Sequence, residues 1–139
     1  MGRAESGKEI SQQLRERYEG LTKAELVSTL QSADLYVQPS HEEGFCLAFI
    51  EAAAIVPRLV GTRTGAIAAI AEDDPDMRVV PPRAPAAMAS AAIELLARKP
   101  DPDAMPRRAT RLHDRFAWSR YLDAHERLYA RVAAASSRG

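Results

Sequence analysis

Short apolar segments alternate with longer amphipathic segments through the middle of the chain. Three of the apolar segments are short and rich in β-branched residues, so they predict strands over residues 35–38, 58–60 and 77–80. Segments whose apolar residues have helical spacing lie between these strands and on either side of them. Strands that alternate with helices are typical of a parallel sheet. The pattern therefore predicts an α/β fold, a partial Rossmann-like sheet of three to four parallel strands with flanking helices and a helical C-terminus.

Capping signals and prolines set the predicted helix boundaries. Thr22 and Glu25 have the spacing of a capping box, which predicts a helix that ends near Ser32. Pro85 suits the first turn of a helix and Ser119 suits an N-cap. The predicted helices cover residues 8–18, 23–32, 45–55, 65–71, 86–98 and 121–134.

Length and composition favour one small domain over residues 1–135, followed by a disordered tail over residues 136–139. The chain has 139 residues, 46% of them hydrophobic, which is enough for one core. Its one cysteine excludes an internal disulfide, and no apolar run reaches the roughly 18 residues of a membrane span. A cytoplasmic location is expected. No spacing of His, Cys or Asp predicts a metal site.

Charge is unevenly distributed although the net charge is zero. Residues 1–97 hold nine Lys or Arg and fourteen Asp or Glu, whereas residues 98–139 hold ten and five. A basic stretch can bind nucleic acid or an anionic membrane. Here the cations are interleaved with Asp114, Asp123 and Glu126, which is typical of solvated helix faces. We therefore expect no nucleic-acid partner.

Two glutamates mark the candidate site. Glu51 is the one charged residue in the stretch GFCLAFIEAAAIVP, and Glu43 lies eight residues earlier in PSHEEGF. A buried carboxylate needs a partner, and free amides at a helix N-terminus bind anions. Eight helical residues span about 12 Å, roughly the distance from a sugar to a ribose across a diphosphate. The pair predicts a nucleotide-sugar site, unless the spacing is accidental or Glu51 faces solvent on a half-exposed helix.

The segment over residues 33–57 resembles the donor-binding core of family 4 retaining glycosyltransferases, which have the two-domain GT-B architecture. The likeness continues more loosely to Tyr129. The matching residues are Ala33-Asp34, the apolar run 35–37, Pro39-Ser40, Glu43-Gly44-Phe45 and Glu51-Ala52.

The resemblance implies a role for each site residue. Glu43, the catalytic residue, would hydrogen-bond the donor sugar hydroxyls, and Glu51 would bind the ribose hydroxyls. The backbone amides of Gly44, Phe45, Cys46 and Leu47 would face the sugar and diphosphate. The donor would be a nucleoside-diphosphate sugar, and no metal or other cofactor is expected.

The chain departs from the family pattern in several ways. Cys46 stands where the family usually has glycine. In the family, the first strands of the donor domain carry an Arg and a Lys that neutralise the diphosphate, and this sequence has no match to them. It also has no match to the family's acceptor-binding domain. Arg58 and Arg63 are the cations nearest to the motif, and neither is assigned to phosphate.

Two functions follow from this comparison. One is the donor domain of a glycosyltransferase that works with a separate acceptor-binding domain or chain. The other is a non-catalytic remnant or fragment of that fold that acts as a binding module. Such a module would bind a nucleotide, a partner chain or nothing. We expect the isolated chain to bind a nucleotide-sugar weakly and to transfer nothing measurable.

An apolar stripe runs along the last predicted helix and includes Leu122, Tyr129 and Val132. Its default interpretation is core packing, yet it could also contact another chain or stay partly exposed. His125 lies in this stripe and is interpreted as a packed or partly solvated residue. His41, beside the glutamate motif, could contact a ligand.

Overall fold

Three strands and six helices lie within residues 19–136, the part of the chain that this computed structural model describes. The predicted helix over residues 8–18 lies outside the described residues. In chain order the elements are α1 (Lys23–Gln31), β1 (Tyr36–Gln38), α2 (Leu47–Ala53), β2 (Leu59–Thr62), α3 (Ile67–Ile70), β3 (Met77–Val80), α4 (Pro85–Leu96), α5 (Ala104–Phe116) and α6 (Trp118–Ser136).

The strands form one parallel sheet in the order β1-β2-β3. Tyr36 pairs with Leu59, which in turn pairs with Met77. All four residues of the central strand β2 are buried, as expected for a strand covered on both faces. The predicted α/β class and parallel sheet are therefore confirmed.

Helices cover both faces of the sheet. On one face, Gly61 of β2 lies directly beneath Phe49 of α2 and Ile67 of α3. On the opposite face, Val60 and Val80 pack with Ala91 and Leu95 of α4 in a buried cluster. The sheet is thus the middle layer between α2 and α3 on one side and α4 on the other.

A buried ion pair joins α5 to the loop before β3. Arg108 and Asp74 are 0% and 4% exposed, and Arg108 Nε lies 2.7 Å from Asp74 Oδ2. Arg108 also donates to the backbone carbonyls of Ala53 and Val56, at 3.2 and 2.9 Å, where α2 ends. Burial alone would raise the pKa of Asp74, but the hydrogen bonds and charge of Arg108, with the amide of Asp76 and the charge of Arg111, together outweigh burial and lower it.

Two further arginines of α5 bind the end of α3. Arg111 donates to the carbonyl of Ile70 at 3.0 Å, and Arg115 donates to the carbonyl of Ala69 at 3.1 Å. Cations favour helix C-termini, where carbonyls lack helical partners. The interpretation of this basic stretch as solvated faces is therefore wrong for Arg108 and incomplete for Arg111 and Arg115.

The chain divides into two compact units between Ser32 and Ala33. In the first unit, Thr22 caps α1: its amide donates to Glu25 Oε2 at 2.8 Å, and its hydroxyl accepts from the amide of Glu25 at 3.3 Å. The predicted capping box is confirmed. The prediction of one domain over residues 1–135 stays a prediction. Residues 137–139 of the predicted tail lie outside the described residues, and Ser136 ends α6.

The second unit ends in a long, exposed helix. The chain bends at Ala117, whose ψ of 133° separates α5 from α6, so Ser119 lies inside α6 and its predicted role as cap is wrong. The apolar stripe remains exposed, with Tyr129 at 67%. His125 is half-buried and its Nδ1 lies 2.8 Å from the carbonyl of Tyr121. None of the helices within residues 19–136 has the length and apolarity needed to cross a membrane.

Candidate functional site

The loop over residues 39–46 joins the carboxyl end of β1 to α2 and holds most of the predicted site. It is attached to the end of the next strand by Thr62, whose hydroxyl donates to the carbonyl of Ser40 at 2.6 Å. Gly65, at a positive φ of 51°, lies so close that an added Cβ would be 3.1 Å from the Cβ of Glu43. The β1 and β2 ends therefore fix the loop jointly, at the sheet edge where open α/β folds bind ligands.

A hydrogen-bonded chain orients the Glu43 carboxylate. Ser40 Oγ donates to Glu43 Oε1 at 2.5 Å and Gln38 Nε2 donates to the same oxygen at 3.2 Å. The Tyr36 hydroxyl donates to Gln38 Oε1 at 2.6 Å, so the amide nitrogen of Gln38 is left to face Glu43. A carboxylate has about four acceptor positions, so Glu43 is held in place and can still accept from a ligand.

Burial raises the pKa of the Tyr36 hydroxyl, and the charges of Cys46, Glu43 and Glu51 raise it further. The phenol therefore stays protonated at neutral pH and remains a donor to Gln38. Burial also raises the pKa of the Cys46 thiol, and the Glu43 carboxylate adds to that rise.

Glu51 is exposed on α2, so the expectation that its carboxylate is buried is wrong. The alternative, that it faces solvent on a half-exposed helix, describes its position. The buried face of α2 consists of Phe49, Ala52 and Ala53. Because Glu51 has no burial penalty to offset, its presence in an apolar stretch does not by itself require a partner.

The remaining predicted residues surround the start of α2. The helix begins at Leu47 rather than residue 45 and has seven residues, so Glu43 is not helical and the 12 Å span does not apply to this pair. Gly44 is exposed in the loop, and Leu47 is 65% exposed. The Phe45 ring packs edge-on against Phe116 at a centroid distance of 5.4 Å.

Cys46 precedes α2 in a left-handed conformation, with φ 68° and ψ 60°. Its side chain is 5% exposed, and its carbonyl accepts from the amides of Phe49 and Ile50 at 3.1 and 3.3 Å. A non-glycine residue in this conformation costs roughly 1–2 kcal/mol. The local turn thus favours the glycine that the family usually has here.

We expect Cys46→Gly to be more stable than Cys46→Ala by about 1 kcal/mol, because both lose the buried thiol and only glycine removes the left-handed strain. At ordinary backbone positions, the glycine variant of a protein is less stable than the alanine variant. Urea unfolding of both variants measures the difference. A more stable alanine variant would contradict the assigned backbone strain.

The two candidate cations lie at opposite ends of β2. Arg58 precedes the strand, is 8% exposed, and donates through Nη2 to the carbonyl of Arg98 at 2.6 Å. It therefore lies at the far edge of the sheet from Glu43. Arg63 follows β2 at the same edge as Glu43 and is exposed. Within residues 19–136, no three His, Cys, Asp or Glu side chains are grouped so that they could hold a metal ion.

Sequence reasoning missed the residues that support Glu43. Strand alternation could have found Tyr36 and Gln38, since residues two apart point to the same face. Thr62 and Gly65 carry no comparable signal, because their contacts with the loop depend on the pairing of β1 with β2.

Comparison with known proteins agrees with this architecture. The family described as "Glycosyl transferases group 1" matches residues 1–98. D-inositol 3-phosphate glycosyltransferase from Saccharomonospora viridis is 34% identical over 116 residues, which are 83% of this chain and 26% of that protein. The chain thus spans about a quarter of the length of this curated relative.

A solved structure extends the comparison to the fold. Sucrose-phosphate synthase from Thermosynechococcus elongatus matches with a TM-score of 0.66 and 25% identity, over 92% of this chain and 35% of the synthase chain. The predicted resemblance to the C-terminal part of a GT-B glycosyltransferase is confirmed. The chain belongs to the group 1 glycosyltransferases.

Proposed function

We propose that this chain is the donor-binding part of a retaining glycosyltransferase and that the edge around Glu43 binds a nucleoside-diphosphate sugar. The observation that carries the proposal is the Glu43 carboxylate, held by Ser40 and Gln38 at the carboxyl edge of a parallel sheet. A fixed carboxylate with spare acceptor capacity suits sugar hydroxyls, which are donors. Family membership supplies the independent support.

Each predicted residue has a role in this proposal. Glu43 accepts hydrogen bonds from the sugar, and Glu51, exposed on α2, accepts from the ribose. The amides of Gly44, Phe45, Cys46 and Leu47 face the sugar and diphosphate. Holding the donor in one orientation and stabilising the departing diphosphate are the two ways in which such a site accelerates transfer.

The acceptor is proposed to bind to a separate domain or chain. The curated relative is about four times as long as the matched region, so a complete enzyme of this kind has residues that this chain does not supply. Without an acceptor held in line, positioning is lost and transfer is slow. The chain alone is therefore expected to bind donor weakly and to transfer nothing measurable.

Calorimetry with uridine and guanosine diphosphate sugars tests the donor site. We expect Glu43→Gln and Glu51→Gln each to weaken binding about 10- to 100-fold, since a hydrogen bond to a charged group contributes about 1.5–3 kcal/mol. Glu42→Gln is the matched control, because Glu42 is the exposed neighbour of Glu43. It should bind as the unmodified chain does.

Two results would contradict the proposal. One is the absence of binding by the unmodified chain at millimolar donor. The other is an equal loss in Glu42→Gln, which would indicate a general charge effect. A product assay on the same samples tests the expectation that the chain alone transfers nothing measurable. Rapid turnover by the chain alone would show that it needs no separate acceptor domain.

A further inference from the structure

A cleft opens at the carboxyl edge of the sheet, on the face covered by α4. Its volume is about 210 Å³. It lies where β1, β2 and β3 end, next to the first turn of α4. The residues of its wall that matter here are Pro39, His41, Thr62, Pro81, Arg83 and Met88.

The cleft has positive charge without a counter-charge. Arg83 and His41 are both exposed at its wall, and no Asp or Glu lines it. Some arginines of this unit have carboxylate partners, as Arg78 has Glu94 at 2.6 Å. Within residues 19–136, by contrast, neither Arg83 nor His41 has an ion pair. An unpaired guanidinium beside apolar walls favours an anionic ligand.

The backbone at Arg83 adds a second indication. Its φ is 59°, in the left-handed region that glycine and asparagine adopt far more readily than arginine. Strain of this kind costs roughly 1–3 kcal/mol, and it is concentrated at active sites and ligand-binding sites. The backbone alone would favour another residue at this position, so the arginine side chain is what distinguishes it.

We infer that this cleft binds the phosphate group of a small phosphorylated molecule. His41 and Arg83 belong to loops after two different strands, so they approach the cleft from two sides. Phosphate offers acceptor oxygens in several directions, whereas a carboxylate offers two in one plane. An apolar wall for the remainder of the molecule is provided by Pro39, Pro81, Pro85 and Met88.

The cleft is distinct from the Glu43 site but shares structure with it. Thr62 lines the cleft, and its hydroxyl holds the carbonyl of Ser40 in the loop that contains Glu43. Pro39 and His41 belong to the same loop. A molecule in the cleft would therefore contact the loop that contains Glu43. This inference goes beyond the proposed donor site and does not depend on it.

Amide chemical shifts of the ¹⁵N-labelled chain, titrated with inorganic phosphate at constant ionic strength, test the inference. We expect saturable shifts at His41, Thr62, Arg83 and Ala84. Arg83→Asn should weaken binding about 10-fold or more, because a charge-assisted hydrogen bond is lost. Asparagine tolerates the left-handed backbone, so this variant should remain folded.

Arg120→Gln is the control, since it removes the same charge from an exposed arginine that does not line the cleft. It should bind phosphate as the unmodified chain does. Three outcomes would overturn the inference: no saturable shifts, unchanged affinity in Arg83→Asn, or shifts confined to residues 44–47. The last would show that phosphate occupies the donor loop instead. No nucleotide-sugar is used, so failure here leaves the donor proposal intact.

Discussion

Replacing Arg108 by methionine should lower the free energy of unfolding by about 3–5 kcal/mol, the usual cost of removing one member of a buried ion pair. Methionine fills similar space but leaves Asp74, which is 4% exposed, without its main counter-charge. The carbonyls of Ala53 and Val56 also lose their donor. Against a total stability of about 5–15 kcal/mol, this loss is large enough to unfold part of the population.

Urea unfolding followed by circular dichroism measures the change, with Arg107→Met as the matched control. Arg107 is the neighbour of Arg108 on α5, but its side chain is 62% exposed and its ion pair with Asp101 lies at the surface. Exposed pairs contribute about 0–1 kcal/mol. If both variants lost a similar amount, Arg108 would not be the residue that attaches α5 to α2.

Arg108 also shows where sequence reasoning about the fold ends. An arginine among other charged residues indicates a solvated helix face, and α5 has that composition. Its burial depends on Asp74, 34 residues away, and on carbonyls at the end of another helix. Local pattern carries no information about such partners. The central strand β2 was predictable because a strand buried on both faces requires a continuous apolar run.

Strand boundaries illustrate the same limit on a smaller scale. Both ends of β3 (Met77–Val80) were predicted correctly. β2 was predicted over residues 58–60 but extends over Leu59–Thr62, because Gly61 pairs with Val79 despite the low strand propensity of glycine. Pairing with a neighbour therefore outweighed local preference.

The candidate site was predicted in part. Glu43 follows β1 as the motif indicates, but the burial of Glu51 was predicted wrongly. The helical period explains the error: Phe49, Ala52 and Ala53 share one face, and Glu51 is about 200° from Phe49 around the axis. A count of apolar neighbours in sequence misses this, whereas their positions around the helix would have placed Glu51 outside.

Phe49→Ala should lower the free energy of unfolding by about 3–5 kcal/mol, the range for deleting a buried phenylalanine. Phe49 is 0% exposed and its ring packs edge-on against Tyr36 at 6.2 Å between centroids. The ring also fills the space above Gly61, where an added Cβ would be 2.9 Å from it. The residue beneath the ring is a glycine, which has no side chain to fill the vacated space. The deletion therefore leaves a cavity.

Phe45→Ala, four residues earlier, is the matched control for the same measurement. Phe45 is 46% exposed, and its main contact is the edge-on ring of Phe116, so its loss should cost about 1 kcal/mol. Equal losses in the two variants would contradict the assignment of Phe49 to the core. Because Phe49 supports the Tyr36 ring, its deletion should also weaken donor binding through the chain of hydrogen bonds to Glu43, whereas Phe45→Ala leaves that chain in place.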